Sequence, residues 1–511
     1  MNIERSAGIL LHPTSLPGKF GIGDLGEQAF NFINFLEASG QTLWQVFPLG
    51  PTGYGDSPYQ CFSAFAGNPL LISPEILAGE GYLKKEDLAK IPKFDPLNID
   101  FGGVIDYKNS LLRNAFANFS AEKNPEVEKA FSAFCEKHND WLNDFSLFMA
   151  VKNYHGGNLW TTWNKAIALR KENAVEKWKD KVAGEIHYQK FLQFNFFKQW
   201  QKVKEYAHQK GIKIIGDLPI FIAYDSADLW ANKNLFTVDE NGKLLTCAGV
   251  PPDYFSPTGQ LWGNPLYRWD EMEKDDFLWW RKRISSLLEL IDIVRIDHFR
   301  GFEAYWEIPG DAITAETGKW VKAPGDKFFT AVKKYLGDVP IIAEDLGVIT
   351  KGVTALRDKF NLPGIKILQF AFGKGMETKF LPHNFIPNCV VHTGSHDNDT
   401  TRGYFEKAKE EKHKNNIYEF TQRYLGYYGD DITFQLIKTA YASVANIVVI
   451  PLQDMLNLGN EARMNFPGTP GGNWCWRFTW DQVPYDLAGK YKEMCALYQR
   501  PPKPEKVESG K

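Results

Sequence analysis

The chain has 511 residues, 44% of them hydrophobic and 24% charged, with a formal net charge of −3. That balance marks a soluble globular protein, large enough for one elaborated barrel or several ordinary domains. It excludes a membrane role, which needs about 18 consecutive apolar residues, and a nucleic-acid partner, which a basic face would serve.

Six cysteines (61, 135, 247, 389, 475 and 495) show no Cys-x-x-Cys or Cys/His pairing. They read as free thiols of a reducing compartment. The N-terminus lacks the features of a signal peptide, so the expected location is cytoplasmic. Aromatics make up 14% of the chain. Those not needed in the core suit stacking on the flat apolar faces of sugars.

The first apolar run, Ala7-Gly-Ile-Leu-Leu-His12, predicts a strand. Gly21-Ile-Gly23-Asp-Leu-Gly26 matches the spacing of a dinucleotide fingerprint, but a Pro-rich loop separates it from that strand and no acidic strand end follows. Leu43-Trp-Gln-Val-Phe-Pro48 predicts a second strand, followed by a loop-rich insertion over 50–105. Its Gly- and Pro-rich opening places Ser57 and Tyr59 at a mouth or in a plain surface turn. Residues 106–211 read as a charged, helical insertion, closing with Leu192, Phe196, Trp200, Val203 and Ala207 at helical spacing.

Ile212-Lys-Ile-Ile-Gly-Asp217 is a strand ending in a carboxylate. A third insertion spans 225–290, where Asp253, Tyr254, Phe255, Trp262 and Asn264 sit among prolines and glycines. They predict an aromatic lid, or a loop packed on the body. Ile291-Asp-Ile-Val-Arg295-Ile-Asp297 follows, with Arg295 and Asp297 two apart and so on one side of a strand. Alone, that pair reads equally well as a surface salt bridge.

The pattern recurs at Val339-Pro-Ile-Ile-Ala-Glu344-Asp345 and at Cys389-Val-Val-His-Thr-Gly-Ser-His396-Asp397. Ile365-Lys-Ile-Leu and Ile447-Val-Val-Ile450 complete eight strand candidates. Eight strands alternating with helices predict a (β/α)₈ TIM barrel with large, mostly helical insertions, one catalytic unit over 1–500 and a disordered tail over 501–511. In a barrel Asp217, Asp297, Glu344 and Asp397 converge on one face; in an open doubly wound sheet they scatter.

Converging carboxylates suit metal binding or work on an acetal. His298 and His396 keep the metal alternative open, but no ligand spacing supports it, and no metal or cofactor is expected. Glycoside chemistry needs one ionised carboxylate and one that keeps its proton. Arg295 suits Asp297 to the first task, and the apolar surroundings suit Glu344 to the second.

Arg295-Ile-Asp297-His-Phe, Ala343-Glu344-Asp-Leu-Gly and Ser395-His396-Asp397-Asn-Asp resemble the short motifs of the α-amylase clan. With Trp44-Gln-Val-Phe-Pro, Ser57-Pro-Tyr59-Gln, Gly216-Asp217-Leu-Pro and Gly249-Val-Pro-Pro-Asp253-Tyr-Phe255, the chain resembles glycoside hydrolase family 77, the 4-α-glucanotransferases, over roughly residues 5 to 480. Only about 60 residues follow the last strand, too few for the β-sandwich domain of about 100 residues that ordinary amylases carry, and this family lacks it.

The resemblance implies a retaining transglycosylase acting on α-1,4-glucan donors and acceptors. Asp297 is then the nucleophile, Glu344 the acid/base and Asp397 the third carboxylate. Arg295, His396 and Asp217 are supporting residues, Tyr59 lies near the donor sugars, and Tyr254 and Phe255 lie on the acceptor side. Retention implies carboxyl groups about 5 to 5.5 Å apart. A hydrolase of the same clan and a non-catalytic glucan-binding protein are the alternatives.

Overall fold

In a computed structural model, residues 4–122, 124–252, 256–372, 378–411, 416–469 and 471–500 are described. The 501–511 tail and the lid residues Asp253, Tyr254 and Phe255 lie outside them. Eight strands close a barrel: β1 Ser6–Leu10, β2 Leu43–Val46, β3 Lys213–Pro219, β4 Ile293–Asp297, β5 Ile341–Ala343, β6 Gly364–Ile367, β7 Cys389–His392 and β8 Ile447–Pro451. They follow one another around it in chain order, every pair is parallel, and β8 returns to β1. The expected (β/α)₈ barrel is therefore present. The strands are almost wholly buried, as parallel strands under helices must be.

The insertion between β2 and β3 is helical from Phe101 to Gln209. Its last helix, Ala183–Gln209, buries Leu192, Phe196, Trp200, Val203 and Ala207, the residues predicted from spacing. Trp200 packs on Trp44 of β2 at 6.2 Å between ring centroids and donates its indole N–H to the Leu290 carbonyl at 2.7 Å. Lys204 Nζ reaches the carbonyls of Leu288 and Ile291 at 3.0 and 2.9 Å. A cation thus covers the end of the helix Leu278–Leu290, where unpaired carbonyls accumulate. That contact fixes the chain as it enters β4.

The stretch 225–290 departs from expectation. It contributes Thr246–Val250 and Gln260–Pro265 to a four-stranded antiparallel sheet, joined by Ala304–Pro309 and Lys319–Lys322 from beyond β4. Trp262 and Asn264 therefore stand on a strand, not in a loop. Their strand pairs with Thr246–Val250, whose other edge takes Ala304–Pro309 from beyond β4, a pairing that local pattern cannot reveal. Gly249 permits the first pairing, because a Cβ there would sit 2.2 Å from the Gln260 carbonyl oxygen.

No helix among the described residues is long and apolar enough to cross a membrane. Barrel closure depends on Gly8, where a Cβ would lie 2.5 Å from both the Cβ and the carbonyl oxygen of Leu43. Gly8→Ala is expected to destabilise the fold by about 1–3 kcal/mol, whereas Gly184→Ala, in open space on the long helix, leaves it equal or gains up to about 1 kcal/mol. Urea-unfolding midpoints check both.

Candidate active site

The strand period of two sets the site. In β4, Arg295 and Asp297 share the inward face, and the register aligns Asp217 of β3 with Arg295. Arg295 Nη1 lies 2.8 Å from Asp217 Oδ2 and 3.0 Å from Asp297 Oδ1. One guanidinium nitrogen thus bridges two carboxylates. Burial raises the Asp217 pKa, and the Arg295 charge opposes that rise. The Tyr59 hydroxyl donates to Asp217 Oδ2, while Asp217 Oδ1 is buried with no hydrogen-bond partner among the described residues.

Tyr59 links this centre to β7. Its ring stacks on His396 at 5.0 Å, and its hydroxyl lies 3.5 Å from His396 Nδ1. His396 Nε2 is 3.5 Å from Asp397 Oδ2. Asp397 itself stands on the loop five residues past β7, half exposed, and its Oδ1 accepts from Asn465 Nδ2 at 2.6 Å. Asp217, by contrast, lies inside β3 and not at its tip.

Glu344 follows β5 and is held differently. It has no ion-pair partner among the described residues: Oε2 accepts from the His298 N–H at 2.7 Å and Oε1 from the Leu346 N–H at 3.1 Å. Directly after Asp297, His298 adopts a left-handed conformation, φ 51°. Such a turn is costly for a non-glycine residue, and turns of this kind concentrate at functional sites. Burial, reinforced by the Asp297 charge, pushes the Glu344 carboxyl up to about 8. Asp345 faces the other way, accepting from the Ile365 N–H at 2.8 Å and pairing with Arg357. The two adjacent acids therefore occupy opposite sides of the wall.

The remaining predicted residues divide. Trp262 is at the centre, its ring 5.0 Å from His298. Asn264 is a strut: its amide donates to the Ile222 carbonyl at 2.7 Å and accepts from Gln60 at 3.3 Å. Ser57 Oγ accepts from the Tyr59 N–H at 3.3 Å and so shapes the turn that presents that ring. No group of three or more His, Cys, Asp or Glu side chains among the described residues is arranged to hold a metal.

Sequence reasoning misses Asn465, Arg463 and Trp474. Arg463 donates to the Asp397 carbonyl at 2.7 Å and pairs with Asp399 at 2.5 Å. Trp474, itself left-handed at φ 64°, packs against Phe47, Tyr59 and His396 at 5.7, 5.8 and 5.6 Å. These residues sit on loops after β8, where no strand ending in an acid draws notice. The run Asn473-Trp-Cys-Trp-Arg477 is the available signal.

The raised carboxyl has a measurable consequence. Unfolded, Glu344 returns to the ordinary glutamate value of about 4.3; folded, it keeps its proton to about 8. Between those values the native state holds the extra proton, so the stability tied to this group is complete below the unfolded value and is lost as pH rises through the folded one. Glu344→Gln is expected to gain thermal stability over the native chain progressively from pH 5 to 8, read by calorimetry. Parallel curves would contradict it.

With this geometry in place, comparison with known proteins is direct. Residues 11–482 match the family profile of glycoside hydrolase family 77, 4-alpha-glucanotransferase. The chain is 51% identical over 501 residues to the 4-alpha-glucanotransferase of Synechocystis sp., covering 97% of this chain and 98% of that one. It is 49% identical to the enzyme of Thermus thermophilus, covering 98% and 100%. The amylomaltase of Streptococcus agalactiae, solved in complex with acarbose, superposes with a TM-score of 0.94 at 39% identity, covering 98% and 100%. The chain belongs to glycoside hydrolase family 77 and is a 4-alpha-glucanotransferase.

Proposed function

We propose that the enzyme is a retaining transglycosylase that moves α-1,4-glucan segments from a donor to the 4-hydroxyl of an acceptor glucan or glucose. The observation that carries this reading is the contrast between two neighbouring carboxyl groups: Asp297 ion-paired to Arg295, and Glu344 buried, held by two backbone N–H groups with no ion pair among the described residues, its pKa raised by burial. Asp297 attacks the anomeric carbon while Glu344 gives its proton to the departing glycosidic oxygen. The leaving chain departs with a free 4-hydroxyl, and a glucosyl ester forms on Asp297. Glu344, now ionised, takes the proton from the 4-hydroxyl of the acceptor. That oxygen attacks the anomeric carbon, the ester breaks, and both carboxyl groups return to their starting states.

Asp397, braced by Asn465, binds sugar hydroxyls at the reacting glucose, and Tyr59 and His396 line the donor side. Trp262 stands beside His298, and aromatic groups on the acceptor side, a place the family resemblance gives to Tyr254 and Phe255, would exclude water and favour transfer over hydrolysis. The free cysteines accord with a cytoplasmic setting.

Incubation with maltotriose tests the reading. Glucose together with a ladder of longer glucans is expected, whereas decay to glucose and maltose alone would show a hydrolase. Asp297→Asn should reduce transfer by at least about 10⁴-fold, as loss of a nucleophile does elsewhere.

A further inference from the structure

Outside the cleft, Trp320 occupies a setting that the reaction steps leave unused. It stands on the edge strand Lys319–Lys322 of the antiparallel sheet and is 40% exposed. Two neighbours hold its ring. The Arg300 guanidinium carbon lies 3.7 Å from the ring centroid, and Trp306, the cross-strand partner, meets it edge to face at 5.2 Å. Trp306 is fixed in turn, donating its indole N–H to the Ala315 carbonyl at 2.9 Å.

Arg300 ties this platform to the reacting centre. It is buried three residues beyond Asp297, and its Nη1 donates to the carbonyl of Val348, four residues beyond Glu344. One guanidinium therefore touches the turn after β4, the turn after β5 and the back of the indole. Stacking of Arg300 on Trp320 also holds the ring still, so a ligand on the exposed part meets a surface already ordered. On the same face, two residues along the strand, Lys322 pairs with Glu303 and supplies a polar edge able to bond hydroxyl groups.

A flat apolar surface with a polar edge matches a glucose ring, which has an apolar face and hydroxyls at its edge. The acid/base must reach the glycosidic oxygen, so sugars beyond Glu344 belong to the leaving or the incoming chain. We propose that Trp320, backed by Arg300, is an outlying stacking subsite for the leaving and incoming chains of long α-1,4-glucans. The proposal rests on Glu344 as the acid/base. Short oligosaccharides end before they reach the ring, so the subsite acts on chain-length preference.

Transfer on long-chain amylose and on maltotriose, measured for the native chain, Trp320→Ala, Trp320→Leu and Trp320→Phe, tests it. The ratio of kcat/KM for amylose over that for maltotriose is expected to fall about five- to tenfold in the Ala and Leu variants. Phe, which keeps a flat face, should restore most of it. A ratio cancels any difference in the fraction of folded enzyme. An unchanged ratio in Trp320→Ala, or a Leu variant that matches Phe, would overturn the subsite. Glu344→Gln is assayed in parallel on maltotriose: retained transfer there would overturn the acid/base assignment itself, a different failure.

Discussion

Everything at the reacting face depends on a single buried cation. Arg295 points into a barrel whose interior offers little water, with the Asp217 side chain fully buried beside it. Burial alone would drive the Asp217 carboxylate toward its neutral form, and the Arg295 charge opposes that. Sharing one guanidinium nitrogen lets Asp217 and Asp297 both keep close contact with a charge. Removing one member of such a buried pair costs about 3–5 kcal/mol, because the other is left uncompensated. From Arg295 the contacts pass through Asp217 to Tyr59, from Tyr59 to His396 and from His396 to Asp397. The loop acid after β7 is thereby positioned from β3 and β4.

The same barrel wall gives its second carboxyl group an opposite environment. Glu344 receives two backbone N–H groups and, among the described residues, no ion pair, and burial beside Asp297 raises it to about 8. Asp345, one residue on, takes the cation instead, from Arg357 on the outer helix Lys351–Lys359. Alternation along the strand direction separates the two acids, so a slip of one residue would exchange them. The backbone N–H of His298, a left-handed residue directly after Asp297, donates to Glu344 and completes the arrangement.

Much of this is legible in the amino-acid sequence. The eight strands of the barrel can be read because parallel barrel strands are continuous apolar runs, and the acids because charged residues end those runs abruptly. Asp217, Arg295, Asp297 and Glu344 follow from that rule. Asp397 does too, although it stands on a loop five residues past its strand. The antiparallel sheet is not legible as a whole, because beside its near partner Gln260–Pro265 the strand Thr246–Val250 takes a second from beyond β4, and nothing local marks that pairing. Asn465, Arg463 and Trp474 escape for a related reason. They act through contacts with loops far away in sequence, and neither spacing nor apolar period announces such contacts.

The central claim is that Asp297 bonds to the sugar while Glu344 only moves protons. Trapping the intermediate tests it most directly. A maltosyl fluoride donor carries a leaving group that needs little acid assistance, so in Glu344→Gln the first step should proceed while the second, lacking its base, stalls. Mass spectrometry of the digested protein should then show a maltosyl adduct on the peptide containing Asp297. An adduct on Asp397 or Asp217, or none while fluoride is released in a burst, would contradict the account.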